Sequence, residues 1–175
     1  MVSKFKLLTI LLIITGMNAC GKSPDGRFQV VESFDVNRYT GKWYEIARFD
    51  FRFERNLDHT TATYSLNENG TIRVLNEGYN YKTGKHKQAV GKAKFAGDKT
   101  KAALKVSFFG PFYAAYNVIA LDSDYKYALV VGENLNYMWI LSREKTIPVE
   151  IKQNYLQIAR EAGFRVDQLI WVNQN

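Results

Sequence analysis

The chain has 175 residues, 46% of them hydrophobic and 23% charged, which suits one domain with a short extension and excludes a disordered polyelectrolyte. Its single cysteine excludes an internal disulfide framework and a cysteine-rich zinc site. A formal charge of +7 is compatible with nucleic acid or an anionic membrane, so its distribution has to decide.

The first segment is an export address. Lys4 and Lys6 are followed by a run, Leu7 to Ile14, that is apolar except for Thr9. Eight residues make a helix of only about 12 Å, against a bilayer core of about 30 Å. A basic start, an apolar middle and the small Ala19 before a boundary describe a secretory signal over residues 1–19. Cys20 stands directly behind that boundary, in Met17-Asn18-Ala19-Cys20. This resembles the lipobox of bacterial lipoproteins, whose cysteine becomes the lipid-bearing first residue of the mature chain. The alternative is a plain signal peptide with an incidental buried cysteine. Removal of residues 1–19 takes away two lysines and no acid, lowering the charge from +7 to +5. Cys20 to Arg27 is a polar run, and residues 20–33 are expected to tether a domain at 34–175.

Short alternating segments then recur. Strands are predicted over Lys42–Phe51, Thr60–Leu66, Ile72–Tyr81, Gln88–Ala96, Ala103–Phe108, Ala115–Leu121, Tyr127–Gly132 and Tyr137–Arg143. The connections, such as Asn67-Glu68-Asn69-Gly70 and Lys82-Thr83-Gly84-Lys85, have hairpin length and composition. Without intervening helices, βαβ units are excluded. Helical period occurs once, in the stripe Ile151, Tyr155, Ile158, Ala159 and Ala162, with Pro148 before it and Gly163 behind. Gln168–Val172 is expected to form a short closing strand. Eight sequential antiparallel strands leave two exposed edges unless the sheet closes, and closure gives an all-β up-and-down barrel with one C-terminal α-helix packed outside. A sandwich is the other solution, disfavoured by the tight nearest-neighbour turns.

Catalytic and nucleic-acid signatures are missing from the sequence. His59 and His86 are far apart and form no His-Glu-x-x-His pattern, and there is no Gly-x-Ser-x-Gly elbow or phosphate-binding glycine loop. Lysines are scattered through turns instead of clustered as in nucleic-acid readers, so no nucleic-acid partner is expected. No metal ligand set and no cofactor are expected either.

Three motifs carry a family resemblance. Asn37 to Arg48, containing Gly41-Lys42-Trp43-Tyr44, resembles the lipocalin signature around Gly-x-Trp. Ser123-Asp124-Tyr125 resembles the second motif of that family, and Trp139-Ile140-Leu141-Ser142-Arg143 the third, whose arginine packs on the signature tryptophan. The likeness runs from about Phe34 to Val172 and is nearest to the bacterial outer-membrane lipocalins, with apolipoprotein D as an animal relative. It implies that Gly41, Trp43, Asp124, Tyr125 and Arg143 are structural. Strand direction alternates along the meander, so all three motifs meet at one closed end, where a guanidinium over the indole contributes about 0.5–2 kcal/mol.

The opposite end then consists of the loops Asp50–Asp58, Lys82–Lys87, Phe109–Ala114 and Glu133–Asn136. Parity from Trp43 points Glu45, Ala47 and Phe49 inward, and parity from Arg143 does so for Leu141, Trp139 and Tyr137. The resemblance adds Tyr64, Val74, Asn76, Phe108 and Tyr116 as ligand-binding residues. Glu45 is either a headgroup contact or a buried carboxylate satisfied internally, and Arg48, Arg52 and Arg55 are either headgroup partners or solvated charges.

The resemblance implies a binding protein and not an enzyme: an outer-membrane lipoprotein, facing the periplasm and anchored through Cys20, that takes a fatty acid or lysophospholipid for storage, transport or membrane maintenance. A homodimer is a further possibility it raises. The alternatives are a lipocalin-fold enzyme using a buried carboxylate and a structural envelope protein with no stored ligand.

Overall fold

The computed structural model describes residues 20–23 and 26–175, so the signal expected over 1–19 lies outside the described residues. Eight antiparallel strands form a barrel: β3 (Gly41–Arg48), β4 (Leu57–Leu66), β5 (Ile72–Asn80), β6 (Lys85–Phe95), β7 (Ala103–Phe109), β8 (Phe112–Leu121), β9 (Tyr127–Val131) and β10 (Met138–Ser142). Each pairs with its sequence neighbour, and β10 pairs back onto β3 to close the sheet. Helix α2 (Val149–Glu161) packs outside, burying Tyr155 and Ala159, and the Tyr155 hydroxyl donates to the Tyr127 carbonyl at 2.8 Å. All-β closure with one external helix is therefore as the strand pattern predicts. Differences are local: Phe112 to Ala114 are strand and not loop, because Gly110, at φ 57°, makes the turn with Pro111.

Within the stretch expected to tether the domain, the residues nearest the barrel are packed against it. β1 (Cys20–Lys22) and β2 (Gln29–Val31) form a small hairpin. Val30 and Phe28 are buried, and the Phe28 ring stacks on Phe164 at 5.6 Å. An apolar pair inside an otherwise polar run pins it to the barrel wall.

The closed end is organised by Arg143. Its guanidinium lies 3.9 Å from the Trp43 ring centroid and donates to the carbonyls of Arg38, Tyr39, Thr40, Lys42 and Tyr125. Those carbonyls belong to α1 (Val36–Tyr39), the entry to β3 and the turn before β9, so one side chain ties three segments across the floor. Gly41 is required here: it sits at φ 95°, and a Cβ would stand 3.2 Å from Arg143 Nη1. Tyr125 is buried, and its hydroxyl accepts from the Asp35 N–H at 2.9 Å. Asp124 departs from its expected structural part: it is exposed, and the Asp122 carboxylate instead caps this turn, accepting from the N–H groups of Asp124, Lys126 and Tyr127. Two residues earlier in the turn, a carboxylate can face the following amides; at 124 it faces solvent.

The wall has a seam beside β3. β3 pairs with β4 only over Gly41–Tyr44, and above that β11 (Ile170–Trp171) occupies its free edge opposite Arg48 and Ala47. The buried Gln174 then bridges the seam, its amide donating to the Glu45 and Thr60 carbonyls at 2.8 Å each.

Two stability measurements follow. Arg143→Met is expected to lower unfolding free energy by about 2–4 kcal/mol in urea titration, through charge-assisted bonds and the ring contact. Gln174→Ala is expected to cost about 1–3 kcal/mol, because it orphans buried carbonyls on both sides of the seam.

Candidate functional site

The barrel encloses a cavity of about 580 Å³ that opens away from the Arg143 floor. Its deep wall is apolar, built from Ala62, Val74, Ala93, Leu104, Val106 and Leu141. At the base three phenols are joined: the Tyr116 hydroxyl lies 2.7 Å from that of Tyr39 and 2.9 Å from that of Tyr64. Burial raises all three well above the usual tyrosine range, so they remain neutral donors. Phe51, Phe53, Phe108, Phe109, Phe112 and Tyr137 surround the mouth.

One polar cluster interrupts this apolar lining. Arg48 is buried and donates through Nη1 to Glu45 Oε1 at 2.7 Å, and through Nη2 to the Glu54 and Leu57 carbonyls at 2.8 and 2.9 Å. Thr60 Oγ1 donates to the same Glu45 oxygen at 3.1 Å. Glu54, from the mouth loop, accepts the Trp139 indole N–H at 3.0 Å and stands 4.0 Å from Arg48 Nε. Two carboxylates thus share one guanidinium in a desolvated wall. Burial raises the Glu45 carboxyl against the pull of Arg48; burial and then the Glu45 charge push Glu54 up to about 8.

A β-bulge explains why Glu45 and Arg48 meet. Along an unbroken strand, residues three apart face opposite sides. The pairing of β3 with β10 skips Ile46: Ile140 faces Ala47 while Leu141 faces Glu45. The extra residue reverses parity above it. Arg48 therefore turns inward, while Ile46, Ala47 and Phe49 join the outer apolar cluster with Tyr155, Ala159 and Phe164. This corrects the inward placement of Ala47 and Phe49, neither of which borders the cavity.

Among the other residues expected at the site, Glu45, Tyr64, Val74, Asn76, Phe108, Tyr116, Tyr137, Trp139 and Leu141 all border the cavity. Asn76 Oδ1 is buried there without a partner, an acceptor available to a ligand or water. Arg52 lies over the Phe53 ring at 4.5 Å, and Arg55 pairs with Asp50 at 3.0 Å, both outside the cluster. Glu54 and Thr60 escaped sequence reasoning; Glu54 lies in a loop, where parity says nothing, whereas alternation back from Tyr64 through Ala62 does reach Thr60. Cys20 is the first residue of β1, in register with Val31 of β2. Among the described residues, no group of three or more His, Cys, Asp or Glu is placed to hold a metal ion.

Glu54 makes stability pH-dependent. Its folded value of about 8 exceeds the ordinary 4.5, so the folded state holds the proton more tightly and stability falls as pH rises between those values. Urea midpoints measured at pH 5 and pH 8 are expected to fall in the parent chain, and the fall is expected to shrink in Glu54→Gln.

Comparison with known proteins agrees with this geometry. Residues 34–174 match the lipocalin-like domain family. The chain is 53% identical over 173 residues to the outer membrane lipoprotein Blc of Citrobacter freundii, covering 97% of this chain and 98% of the relative. It is 55% identical over 157 residues to the Blc protein of Escherichia coli K12, covering 89% of each. Rat apolipoprotein D is 38% identical over 138 residues, covering 74% of this chain and 70% of that protein. Among solved structures, insecticyanin from the tobacco hornworm Manduca sexta superposes with a TM-score of 0.68 at 22% identity, over 87% of this chain and 86% of that one, a likeness of fold. With the Gly41–Trp43–Arg143 floor, the closed eight-stranded meander and these matches together, the chain belongs to the lipocalin family.

Proposed function

We propose that this lipocalin binds a single-chain amphiphile, a fatty acid or a lysophospholipid, with its acyl chain in the barrel. The observation that carries the reading is a one-ended cavity of about 580 Å³ with an apolar deep wall. That volume is within the range of small-ligand sites. Each methylene moved from water into such a wall contributes about 0.8 kcal/mol, so ten supply about 8 kcal/mol before ordering costs. Asn76 and the Glu54 side of the wall offer polar contacts to a headgroup or an ester. Glu45, Arg48 and Thr60 are tied to one another, with Arg48 Nε alone left without a hydrogen-bond partner, and the group holds the wall together.

A binding role is favoured over catalysis by how these groups are engaged. Among the described residues, none of those lining the cavity is histidine, serine or cysteine, and the Glu45 carboxylate that would act as base is already tied to Arg48 and Thr60.

The protein is located at the outer membrane, in line with the outer membrane lipoproteins of Citrobacter freundii, Escherichia coli and Vibrio cholerae that it matches at 42–55% identity. Attachment is assigned to acylated Cys20 on the periplasmic face, after removal of residues 1–19. Storage or transport of lipid for membrane maintenance is the role this combination suits.

Titration with palmitate and with a lysophospholipid tests the reading, since Trp139 lies in the cavity wall. Saturable quenching in the micromolar range is expected, with affinity at least tenfold weaker in Ala62→Phe, which fills the wall. No saturable change with either lipid would overturn it. Metabolic labelling with palmitate is expected to mark the parent chain and not Cys20→Ser.

A further inference from the structure

Outside the barrel, α2 and the segment that follows it flank a groove of about 700 Å³. The helix contributes one row, Lys152, Leu156 and Arg160, spaced four residues apart and therefore stacked on one face. The 3-10 turn Val166–Gln168 and β11 form the opposite bank, and the buried Phe164 and Leu169 lie between. Trp171 is 43% exposed, and the Lys152 ammonium lies over its ring at 3.7 Å. Arg165 lines the same groove as Arg160. Both arginines are exposed, and among the described residues neither side chain has a hydrogen-bond or ion-pair partner. Three cations thus face one carboxylate in this lining, that of Asp167. The helix dipole accounts for Arg160 in the last turn, but not for Lys152 in the first or for Arg165 beyond the end.

We propose that this groove docks an extended acidic segment of a partner protein, laid along α2 with the pattern acid–x–apolar–x–acid. Spacing and charge carry the assignment together. Residues four apart on a helix are about 6 Å apart along its axis, and alternate residues of an extended chain about 6.6 Å. Three successive same-face side chains of such a segment therefore fall opposite Lys152, Leu156 and Arg160. Its carboxylates meet the two cations, with Arg165 as a second guanidinium, and the apolar side chain between them meets Leu156.

A single small anion suits the groove less, because the cations do not converge: Lys152 and Arg160 are about 12 Å apart along the helix axis. A bilayer surface also suits it less. Phe164 and Leu169 are buried, and Phe164 is engaged with the rings of Phe28 and Phe49, so the apolar floor is beyond the reach of a flat surface. The groove shares no lining residue with the barrel cavity. The proposal therefore goes beyond the lipid-binding reading and does not rest on it.

Fluorescence anisotropy of a labelled peptide containing Glu-Ser-Leu-Ser-Glu tests the proposal on the processed protein reconstituted in phosphatidylcholine vesicles. Saturable binding is expected. It is expected to be at least fivefold weaker for the same residues reordered as Glu-Glu-Leu-Ser-Ser, and at least tenfold weaker in the double variant Lys152→Glu, Arg160→Glu. That variant is expected to bind Lys-Ser-Leu-Ser-Lys instead, which also shows that it is folded. No saturable binding, equal affinity for the two acidic peptides, or unchanged affinity in the double variant overturns the proposal. So does displacement of the peptide by inorganic phosphate at equal ionic strength, the sign of a small-anion site. A blue shift of Trp171 when phosphatidylglycerol is added to the vesicles, read by difference from Trp171→Phe and with no peptide bound, marks a lipid surface and overturns it too. Palmitate is expected to quench Trp139 without displacing the peptide, so the cavity and the groove are read on separate signals.

Discussion

Everything above the floor depends on the contact between Arg143 and Trp43. A closed antiparallel barrel abolishes its own edges, but its ends remain rings of turns with carbonyls to satisfy. At this end a single guanidinium accepts that task, spreading its donors over α1, the entry to β3 and the turn before β9 while its flat face covers the indole. The aromatic packing of Phe34, Tyr39 and Tyr125 completes the plug. Because this end is sealed, the other can be left open, and the space between becomes a cavity with one entrance.

The second organising feature is the bulge at Ile46. It changes the side of the wall to which β3 commits its charged residue. Below it, Trp43 and Glu45 face inward; above it, Arg48 does, and the apolar Ala47 and Phe49 become the ground on which α2 rests. One inserted residue thus supplies both a polar cluster inside the mouth and an apolar seat outside. The cost is a charged group in a desolvated wall, offset by Glu45 and two loop carbonyls. Those carbonyls are Glu54 in the mouth loop and Leu57 where it enters β4, so the buried arginine also holds the loop that carries Glu54 and Phe53.

The distribution of aromatics follows the same division. Rings near the floor pack on each other and are buried, whereas Phe53, Phe109 and Phe112 are spread around the mouth where no protein covers them.

Strand existence, order and closure were legible in the sequence because alternation and hairpin turns are local signals, and Gly41, Trp43 and Arg143 mark one end of the meander. Those signals also locate most of the cavity wall, from Tyr64 and Val74 to Trp139 and Leu141, because strict alternation holds from each motif outward. What local signals do not carry is a change of register. Nothing in Glu45-Ile46-Ala47-Arg48 announces the bulge, which arises only when β3 must satisfy β10 on one edge and β11 on the other. Likewise, Gln174 becomes a seam-closing residue, and Glu54 the companion of a buried arginine, through contacts with residues far away in the chain. The sequence by itself determined the barrel and its closed end, since those follow from periodicity and three motifs. Only the tertiary structure decided which charges face the cavity, because that depends on how neighbouring strands divide a shared ladder of hydrogen bonds.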